Sequence, residues 1–200
     1  LNPHRYRLTV LDNQSASHTD EVLVSIADPA KIAQTITFPV IADQTYLSAA
    51  PSLQASATSG NTITFSSATP NQCTISNDKT VNLMDTGICT ITANAEGDRI
   101  YLAASPVSRS FQIKPSAQII TFSALQDKWL ENIPFDIQAT ASSNLEVTFT
   151  SSTPTICSVQ GVSVKTLALG TCTIAANQAG NTRYLAAPAV TQSFKITPIV

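Results

Sequence analysis

Four cysteines are the residues whose positions most directly predict chemistry. They fall into two pairs, Cys73 with Cys89 and Cys157 with Cys172, and the members of each pair flank a turn between two alternating segments. Such partners can face each other across a hairpin or between two sheets, so we predict the disulfides Cys73–Cys89 and Cys157–Cys172. A zinc site would need closer pairs of the C-x2-C kind, which the sequence lacks. Disulfides persist in oxidising compartments, which indicates a secreted or cell-surface protein.

A polar segment near the N-terminus offers the hard oxygen ligands that calcium prefers. The candidate ligands are Asp12, Asn13, Asp20 and Asp28. No D-x-D-x-D loop is present, and Asp and Asn in turns commonly bond their own backbone. We therefore assign no metal and no cofactor, and these four residues stay calcium candidates.

The sequence lacks the residue combinations that nucleophilic or acid–base catalysis requires. The two histidines, His4 and His18, both lie in the N-terminal segment, and we place His18 in a polar turn. A nucleophilic triad needs a histidine beside a Ser or Cys and an acid. The 13 acidic residues are spread mostly singly through turns and strand edges. Paired carboxylates for glycoside hydrolysis are therefore not indicated, and we predict that the chain is not an enzyme.

The composition excludes two further classes of function. Charged residues make up 12% of the 200 residues and the net charge is −2, whereas a protein that binds nucleic acid needs clustered Lys and Arg. No uncharged apolar run approaches the roughly 20 residues of a membrane span. Hydroxyl side chains supply much of the polarity instead, with 22 Ser and 26 Thr.

Strands are the elements that must position these residues. Residues 62–65, 73–76, 89–93 and 110–113 each alternate apolar side chains with polar ones, mostly Thr or Ser. A period of two is typical of a strand with one face in a core and one in water. Turn signals recur at short intervals, at 59–61, 69–71, 85–87 and 96–98. The sequence contains an internal repeat, and each copy has six to eight short strands of this kind. That number fits a β-sandwich of immunoglobulin type.

The sequence repeats itself over most of its length. Residues 34–38 (QTITF) return at 118–122 (QIITF), 64–70 (TFSSATP) at 148–154 (TFTSSTP), and 101–104 (YLAA) at 184–187 (YLAA). We call residues 34–115 repeat 1 and residues 118–198 repeat 2, with Ser116-Ala117 between them. Six phenylalanines recur at matching positions and are predicted to lie in the two cores: Phe38, Phe65, Phe111, Phe122, Phe149 and Phe194. So short a joint, next to a proline, predicts an extended rod.

Trp129 is the one tryptophan, and the equivalent stretch of repeat 1 holds Thr45 and Tyr46. We expect the Trp129 ring to cover the joint between domains. The alternative is an exposed ring that anchors a glycan or a protein partner, as aromatic side chains do at binding sites.

Residues 1–33 lie outside the repeat. Residues 6–10 (YRLTV) and 21–26 (EVLVSI) alternate, and a polar turn at 12–20 joins them, which predicts a hairpin. Because an isolated hairpin is marginal in water, this one must pair with something. The stretch resembles the last two strands of PKD-type and cadherin-like domains. It is either the end of a preceding domain, a hairpin that completes a sheet on a neighbouring molecule, or an edge packed on repeat 1.

The repeated motifs also resemble a known group. They read TFSSATPNQCTIS and TGICTITANAEGDRIYLAASP in repeat 1, and VTFTSSTPTICSVQ and LGTCTIAANQAGNTRYLAAP in repeat 2. They are similar to the bacterial Ig-like (MBG-type) repeats of large surface and secreted proteins. Repeat 2 is the closer match, because repeat 1 departs at residues 95–98 and 104–106. The resemblance implies an extracellular stalk, spacer or adhesive array.

We therefore predict an all-β fold with two tandem immunoglobulin-like sandwiches preceded by a hairpin. The expected function is a structural spacer of a bacterial extracellular or cell-surface protein, or a fibre subunit joined through residues 1–33. The alternatives are a module that binds glycans or a host surface, and accessory domains of a larger secreted enzyme. Expected partners are neighbouring Ig-like domains of the same or identical chains, by self-assembly, with a glycan or host surface as a further candidate.

Overall fold

The computed structural model describes residues 4–11, 17–24, 30–76 and 79–199, and its regular elements there are all strands. The chain begins with the antiparallel hairpin of β1 (His4–Leu11) and β2 (Ser17–Val24). The prediction of a hairpin is confirmed, but β2 starts earlier than expected, so His18 and Asp20 lie in a strand rather than in the turn. The rest of the expected turn lies outside the described residues.

Repeat 1 forms one larger sheet and two strand pairs. Its strands are β3 (Ile36–Thr37), β4 (Gln44–Thr45), β5 (Ser56–Ala57), β6 (Ile63–Ser67), β7 (Cys73–Ser76), β8 (Thr80–Leu83), β9 (Gly87–Ala95) and β10 (Val107–Lys114). The larger sheet has the order β4-β10-β9-β6, in which the short β4 runs parallel to β10. The pairs β3-β5 and β7-β8 lie opposite it. A single antiparallel bridge pairs Ser52 with Thr80, the first residue of β8.

Repeat 2 repeats this architecture with one addition. Its strands are β11 (Ile120–Phe122), β12 (Lys128–Trp129), β13 (Phe135–Asp136), β14 (Ala139–Ala141), β15 (Thr148–Ser151), β16 (Cys157–Gln160), β17 (Ser163–Thr166), β18 (Gly170–Asn177) and β19 (Val190–Thr197). The larger sheet is β12-β19-β18-β15, and β13 pairs with β17 where repeat 1 has the single bridge at Ser52. Each repeat is therefore a β-sandwich, and the fold is all-β as predicted.

The alternating sequence explains how each sandwich closes. Along β9, Cys89, Ile91 and Ala93 are fully buried, whereas the threonines between them face outward. Thr90 and Thr92 pair across to serines on β10, with oxygen–oxygen distances of 2.8 and 2.9 Å. Cross-strand hydroxyl pairs of this kind support a sheet on its wet face. Burying a side chain such as Ile91 contributes roughly 2 kcal/mol to the free energy of folding.

The phenylalanines pack as expected. Phe38, Phe111, Phe122 and Phe194 are buried, and Phe65 and Phe149 are partly buried against the same cores. Phe38 meets Phe65 in repeat 1 and Phe122 meets Phe149 in repeat 2, with ring centroids 5.5 and 5.4 Å apart. The two repeats therefore bury the same aromatic pair in nearly the same geometry.

One buried polar residue ties the start of each repeat to its last long loop. Gln34 is 5% exposed, and its Nε2 donates to the carbonyl oxygen of Leu102 at 2.7 Å. Gln118 is 3% exposed and makes the equivalent bond to Leu185, also at 2.7 Å. Because a buried amide is costly unless it is hydrogen-bonded, these satisfied glutamines fix the entry of the chain into each sandwich.

Candidate functional site

The cysteines form the disulfides that their pairing indicated. Cys73 bonds Cys89 and Cys157 bonds Cys172, and in each pair the Cα atoms are 5.7 Å apart. Each bond starts at the first residue of β7 or of its equivalent β16 and ends in β9 or β18, an inner strand of the larger sheet. It therefore joins the two sheets of a sandwich rather than the two strands of a hairpin. All four side chains are fully buried in their cores.

Of the four calcium candidates, Asp20 alone lies within the residues that the structure describes. Asp12, Asn13 and Asp28 lie outside them, and Asp20 is placed only by its backbone, in β2 opposite Leu8. Over residues 30–76 and 79–199, and in the two described hairpin strands, no group of three or more His, Cys, Asp or Glu gathers to hold a metal ion. The same ranges contain no helix long and apolar enough to cross a membrane.

The joint between the repeats is the place where the structure concentrates specific polar contacts. Ser116 belongs to both sides: its N–H donates to the carbonyl oxygen of Arg183 at 2.9 Å, and its hydroxyl donates to the carbonyl oxygen of Tyr46. The carbonyl oxygen of Lys114 accepts from the N–H of Tyr46 at 2.8 Å, which anchors the end of β10 in repeat 1. Pro115 alone separates these two anchored residues, and its ring fixes its φ angle.

An ion pair crosses the joint beside this linker. Arg183 of repeat 2 donates from Nε and from one terminal nitrogen to the two carboxylate oxygens of Asp85 in repeat 1, at 3.0 and 3.1 Å. This two-point geometry fixes the orientation of both side chains. The Arg183 guanidinium, together with the N–H of Thr86, holds the pKa of Asp85 below its usual value, and Asp85 raises the pKa of Arg183. The Thr86 hydroxyl also donates to the carbonyl oxygen of Thr182, at 2.9 Å.

An aromatic contact completes the joint. The ring of Tyr46 meets the ring of Tyr184 edge to face, with centroids 5.9 Å apart. The Arg183 guanidinium lies over the Tyr46 ring at 5.4 Å, within the range of a cation–π contact. Tyr46 therefore contacts both residues that the last long loop of repeat 2 presents to repeat 1.

The loop that presents Arg183 and Tyr184 is held by its own sequence. The side-chain oxygen of Asn181 accepts from the N–H groups of Arg183 and Tyr184, at 2.8 and 3.0 Å. Gly180 has φ +78°, in the left-handed region that glycine tolerates, and a Cβ there would lie 2.7 Å from the carbonyl carbon of Leu185. The Gly-Asn pair is thus required for the backbone to turn tightly enough to aim Arg183 at Asp85.

Trp129 does not cover this joint, which corrects the expectation from sequence. It lies in β12, paired with Thr197 at the end of repeat 2 remote from repeat 1, and 49% of its surface is exposed. Tyr46 covers the joint instead. The expectation failed because the position equivalent to Trp129 at the joint is Thr45, and the ring that meets repeat 2 belongs to the next residue.

The sequence reading also missed Asp85 and Arg183. A signal was present in the repeat alignment: the residues equivalent to them are Ala168 and Ile100, so each charge occurs in one repeat only. A charge that appears in just one copy, at the end of the sandwich that meets the other copy, is a candidate contact between the two. Neither residue shows an unusual spacing, so inspection of single motifs could not find them.

No known family model matches this sequence, and no curated protein matches it. Solved structures do resemble it. Drosophila N-cadherin EC1-4 has 13% identity and a TM-score of 0.33, covering 96% of this chain and 57% of that chain. Protocadherin gamma B2 extracellular cadherin domains 1-5 has 12% identity and a TM-score of 0.38, covering 100% and 47%. The S-layer protein rSbsC(31-844) has 12% identity and a TM-score of 0.33, covering 98% and 35%.

This chain thus spans about half the length of the cadherin structures it resembles and about a third of the S-layer structure. At such identities and TM-scores the likeness carries no functional argument. The chemistry of the joint itself does carry one, because its hydrogen bonds, its ion pair and its edge-to-face aromatic contact fix one sandwich against the other.

Proposed function

We propose that this chain is a structural spacer of a bacterial extracellular or cell-surface protein, in which two disulfide-locked sandwiches keep one fixed relative orientation. The observation that carries the proposal is Ser116, which hydrogen-bonds to both repeats one residue after the last anchored residue of repeat 1. A flexible linker would leave its backbone groups to water. Here the residue between the bonded Lys114 and Ser116 is Pro115, which has no N–H to satisfy.

The placement outside the cell rests on the two disulfides and on the resemblance of the repeats to bacterial surface proteins. Disulfides of this kind are rare where glutathione keeps thiols reduced. A charged fraction of 12% also suits an exposed spacer, because few surface interactions then depend on ionic strength.

Residual dipolar couplings measured on the whole chain test the fixed orientation. We expect the two repeats to share one alignment tensor in the wild-type protein. The double variant Asp85→Ala with Arg183→Ala, which removes the ion pair, and Ser116→Gly, which removes the bond to Tyr46, should each make the two tensors diverge. Arg99→Ala is the matched control, since Arg99 is equivalent to Thr182 but lies on the loop of repeat 1, away from the joint.

Two outcomes would contradict the proposal. Different tensors in the wild-type protein would mean that the contacts at the joint do not hold the sandwiches together. If the double variant and Ser116→Gly both keep one shared tensor, as the control Arg99→Ala should, the relative orientation is set by other contacts.

The N-terminal hairpin favours a second candidate, a fibre subunit. Among the described residues, β1 and β2 pair only with each other, which leaves both outer edges of a two-stranded sheet free to accept another strand. A head-to-tail contact through such an edge would build open filaments. Light scattering over a concentration series tests this: the mass of the chain should grow with concentration, and a chain that begins at Ala30 should stay a monomer. Ala30 is the right start because the Ile32 N–H bonds the Ile100 carbonyl oxygen. A monomer in both cases excludes the fibre.

A further inference from the structure

A cleft opens at the end of repeat 2 that is remote from the joint. It lies where residues 130–134 cross from β12, an edge strand of the larger sheet, to β13, an edge strand of the opposite sheet. Its volume is about 270 Å³. This is close to the lower limit of roughly 300 Å³ for small-molecule pockets, so the cleft has room for one ring rather than for an extended chain.

A buried hydroxyl without a partner forms the floor of this cleft. Thr166 lines it and is 2% exposed, yet its Oγ1 has no hydrogen-bond partner among the described residues. Thr166 pairs with Cys157 of β16 on one side, but the pairing of β13 with β17 reaches only Val164 and Ser163, so Thr166 has no paired strand on the side of the cleft. A buried hydroxyl costs free energy unless it is bonded, so Thr166 is poised to bond a molecule in the cleft. The equivalent residue of repeat 1 is the apolar Leu83.

Two aromatic side chains, Trp129 and Phe135, form a wall of the cleft. Trp129 lines the cleft with half of its surface exposed, and Phe135 and Ile133 line it further along. A half-exposed indole offers a flat apolar face at a wet surface. The equivalent residues of repeat 1 are Thr45 and Pro51 for the two rings, so the wall, like the floor, belongs to repeat 2 alone.

The charges around the cleft favour a neutral occupant. The Lys128 ammonium lies 4.7 Å from the centre of the Phe135 ring and already occupies the face that would attract a cationic ligand. Asp127 and Glu131 also line the cleft and would repel an anion. Asp127 accepts from the N–H of Lys195 through one oxygen, and it lacks the lysine that neutralises its counterpart Asp43, since Thr197 replaces Lys114. Hydrogen-bond acceptors and a donor therefore surround an apolar face with little net charge.

We propose that this cleft binds one pyranose unit of a neutral saccharide. A pyranose ring has an apolar face of C–H groups that fits against the Trp129 indole. Its hydroxyls both donate and accept, which matches the Asp127 carboxylate, the Lys128 ammonium and the unpartnered Thr166 hydroxyl. A buried group that only a ligand satisfies gives the site its selectivity. Repeat 1 lacks the ring and the hydroxyl, so of the two described repeats repeat 2 alone carries the site.

The fluorescence of the whole chain reports directly on this cleft, because Trp129 is the one tryptophan. The probes are the methyl glycosides of glucose, galactose and mannose, and N-acetylglucosamine, titrated to 100 mM. Glycerol at equal concentration is the control, since it carries hydroxyls without a ring face. We expect at least one sugar to shift the emission saturably, with a dissociation constant on the order of 1 mM. No saturable shift with any sugar, or an equal shift with glycerol, would overturn the proposal.

Two variants test the assigned residues. Thr166→Val removes the hydroxyl at constant shape and should weaken the binding of the sugar roughly tenfold while leaving the melting temperature unchanged or higher. Thr121→Val, at an exposed position of β11, is the matched control and should bind as the wild type does. Trp129→Thr installs the residue of repeat 1 and should abolish binding measured by saturation-transfer NMR. If Thr166→Val binds as tightly as the wild type, the hydroxyl merely bonds water and the proposed site is wrong.

Discussion

The same end of the sandwich does different work in the two repeats. In repeat 1 this end carries Tyr46 and Asp85 and meets repeat 2 through the ion pair and the edge-to-face contact of two tyrosine rings. In repeat 2 the equivalent residues are Leu130 and Ala168, and the adjacent cleft holds a tryptophan and an unpartnered hydroxyl instead. Both ends are built on equivalent strands and the same aspartate position. The chain has thus kept one scaffold and changed the side chains at its end.

The interiors differ far less than the ends. Each repeat keeps its disulfide, its aromatic pair and its buried glutamine, with nearly equal distances. Divergence at the ends therefore reflects what each end contacts, not a difference in how the sandwiches are stabilised. This comparison predicts equal effects for matched substitutions inside the repeats and unequal effects at their ends.

The largest effect should come from the disulfides, and it should be the same in both repeats. Replacing Cys73 and Cys89 with alanine, or Cys157 and Cys172, should lower the free energy of unfolding of the altered repeat by about 3 kcal/mol, because each bond closes a loop of similar length. Denaturant unfolding followed by NMR signals of each repeat measures this. A loss confined to one of the two variants would break the symmetry between the interiors.

Intact mass provides the control for that experiment. Reduction and alkylation should modify all four cysteines of the unfolded wild-type chain and none before reduction, since the described structure contains no free cysteine. Any alkylation of the unreduced protein would show that a pair is open.

The buried glutamines should give the next largest effect. Gln34→Leu leaves the Leu102 carbonyl oxygen and the Ser59 hydroxyl without their partner, and Gln118→Leu does the same to Leu185 and Ser143. Each substitution should cost about 2 kcal/mol, since buried polar groups lose their bonds. Thermal unfolding measures the cost, and Gln54→Leu, at an exposed position, is the control. A cost below that of the control would mean that these glutamines are exchangeable for apolar residues.

The sequence predicted the strands with a clear alternation well and the two-residue strands poorly. β7 was located to the residue because its alternation and its turn are both local. β3, β4 and β5 are two residues long, and pairing with distant strands decides them, so no local pattern reveals their bounds.

The contents of the two ends were harder to predict than the fold. Asp85 and Arg183 lie far apart in the chain, and only the relative placement of the sandwiches brings them together. The role of Thr166 depends on its buried hydroxyl having no hydrogen-bond partner among the described residues, which the residue types along β17 do not reveal. The cysteines, by contrast, could be paired from sequence because the fold of each repeat fixes their strands.

Removing a hydroxyl at Thr166 and adding one at the equivalent Leu83 should have opposite effects of moderate size on the free energy of unfolding. Thr166→Val removes the unpartnered hydroxyl and should raise the free energy of unfolding of repeat 2 by about 1 kcal/mol. Leu83→Thr inserts a hydroxyl into repeat 1 and should lower its free energy of unfolding by at least the same amount. Chemical denaturation of both variants measures the pair. Equal signs would show that the two positions do not differ in environment as the structure indicates.

The smallest effect, and the one most specific to the joint, should depend on pH. Arg183 and the Thr86 N–H lower the pKa of Asp85 in the folded chain. A carboxyl whose pKa is depressed by folding contributes its full stabilisation above the ordinary pKa near 4, and loses it as the pH falls through the lower folded value. The orientation of the two repeats should therefore stay fixed at neutral pH and loosen in that acidic range, as seen in their dipolar couplings.

Asp43 separates this effect from general acid sensitivity. Its pKa is also lowered, first by Lys114 and then by the Gln112 N–H, but both partners lie within repeat 1. Protonation of Asp43 should therefore change local chemical shifts without moving one repeat against the other. Asp85→Asn removes the titrating group and should leave the relative orientation insensitive to pH over the same range, whereas Asp43→Asn should retain the transition. A transition that survives Asp85→Asn would place the pH sensitivity of the joint in another group, and the ion pair would then be a consequence of the orientation rather than one of its causes.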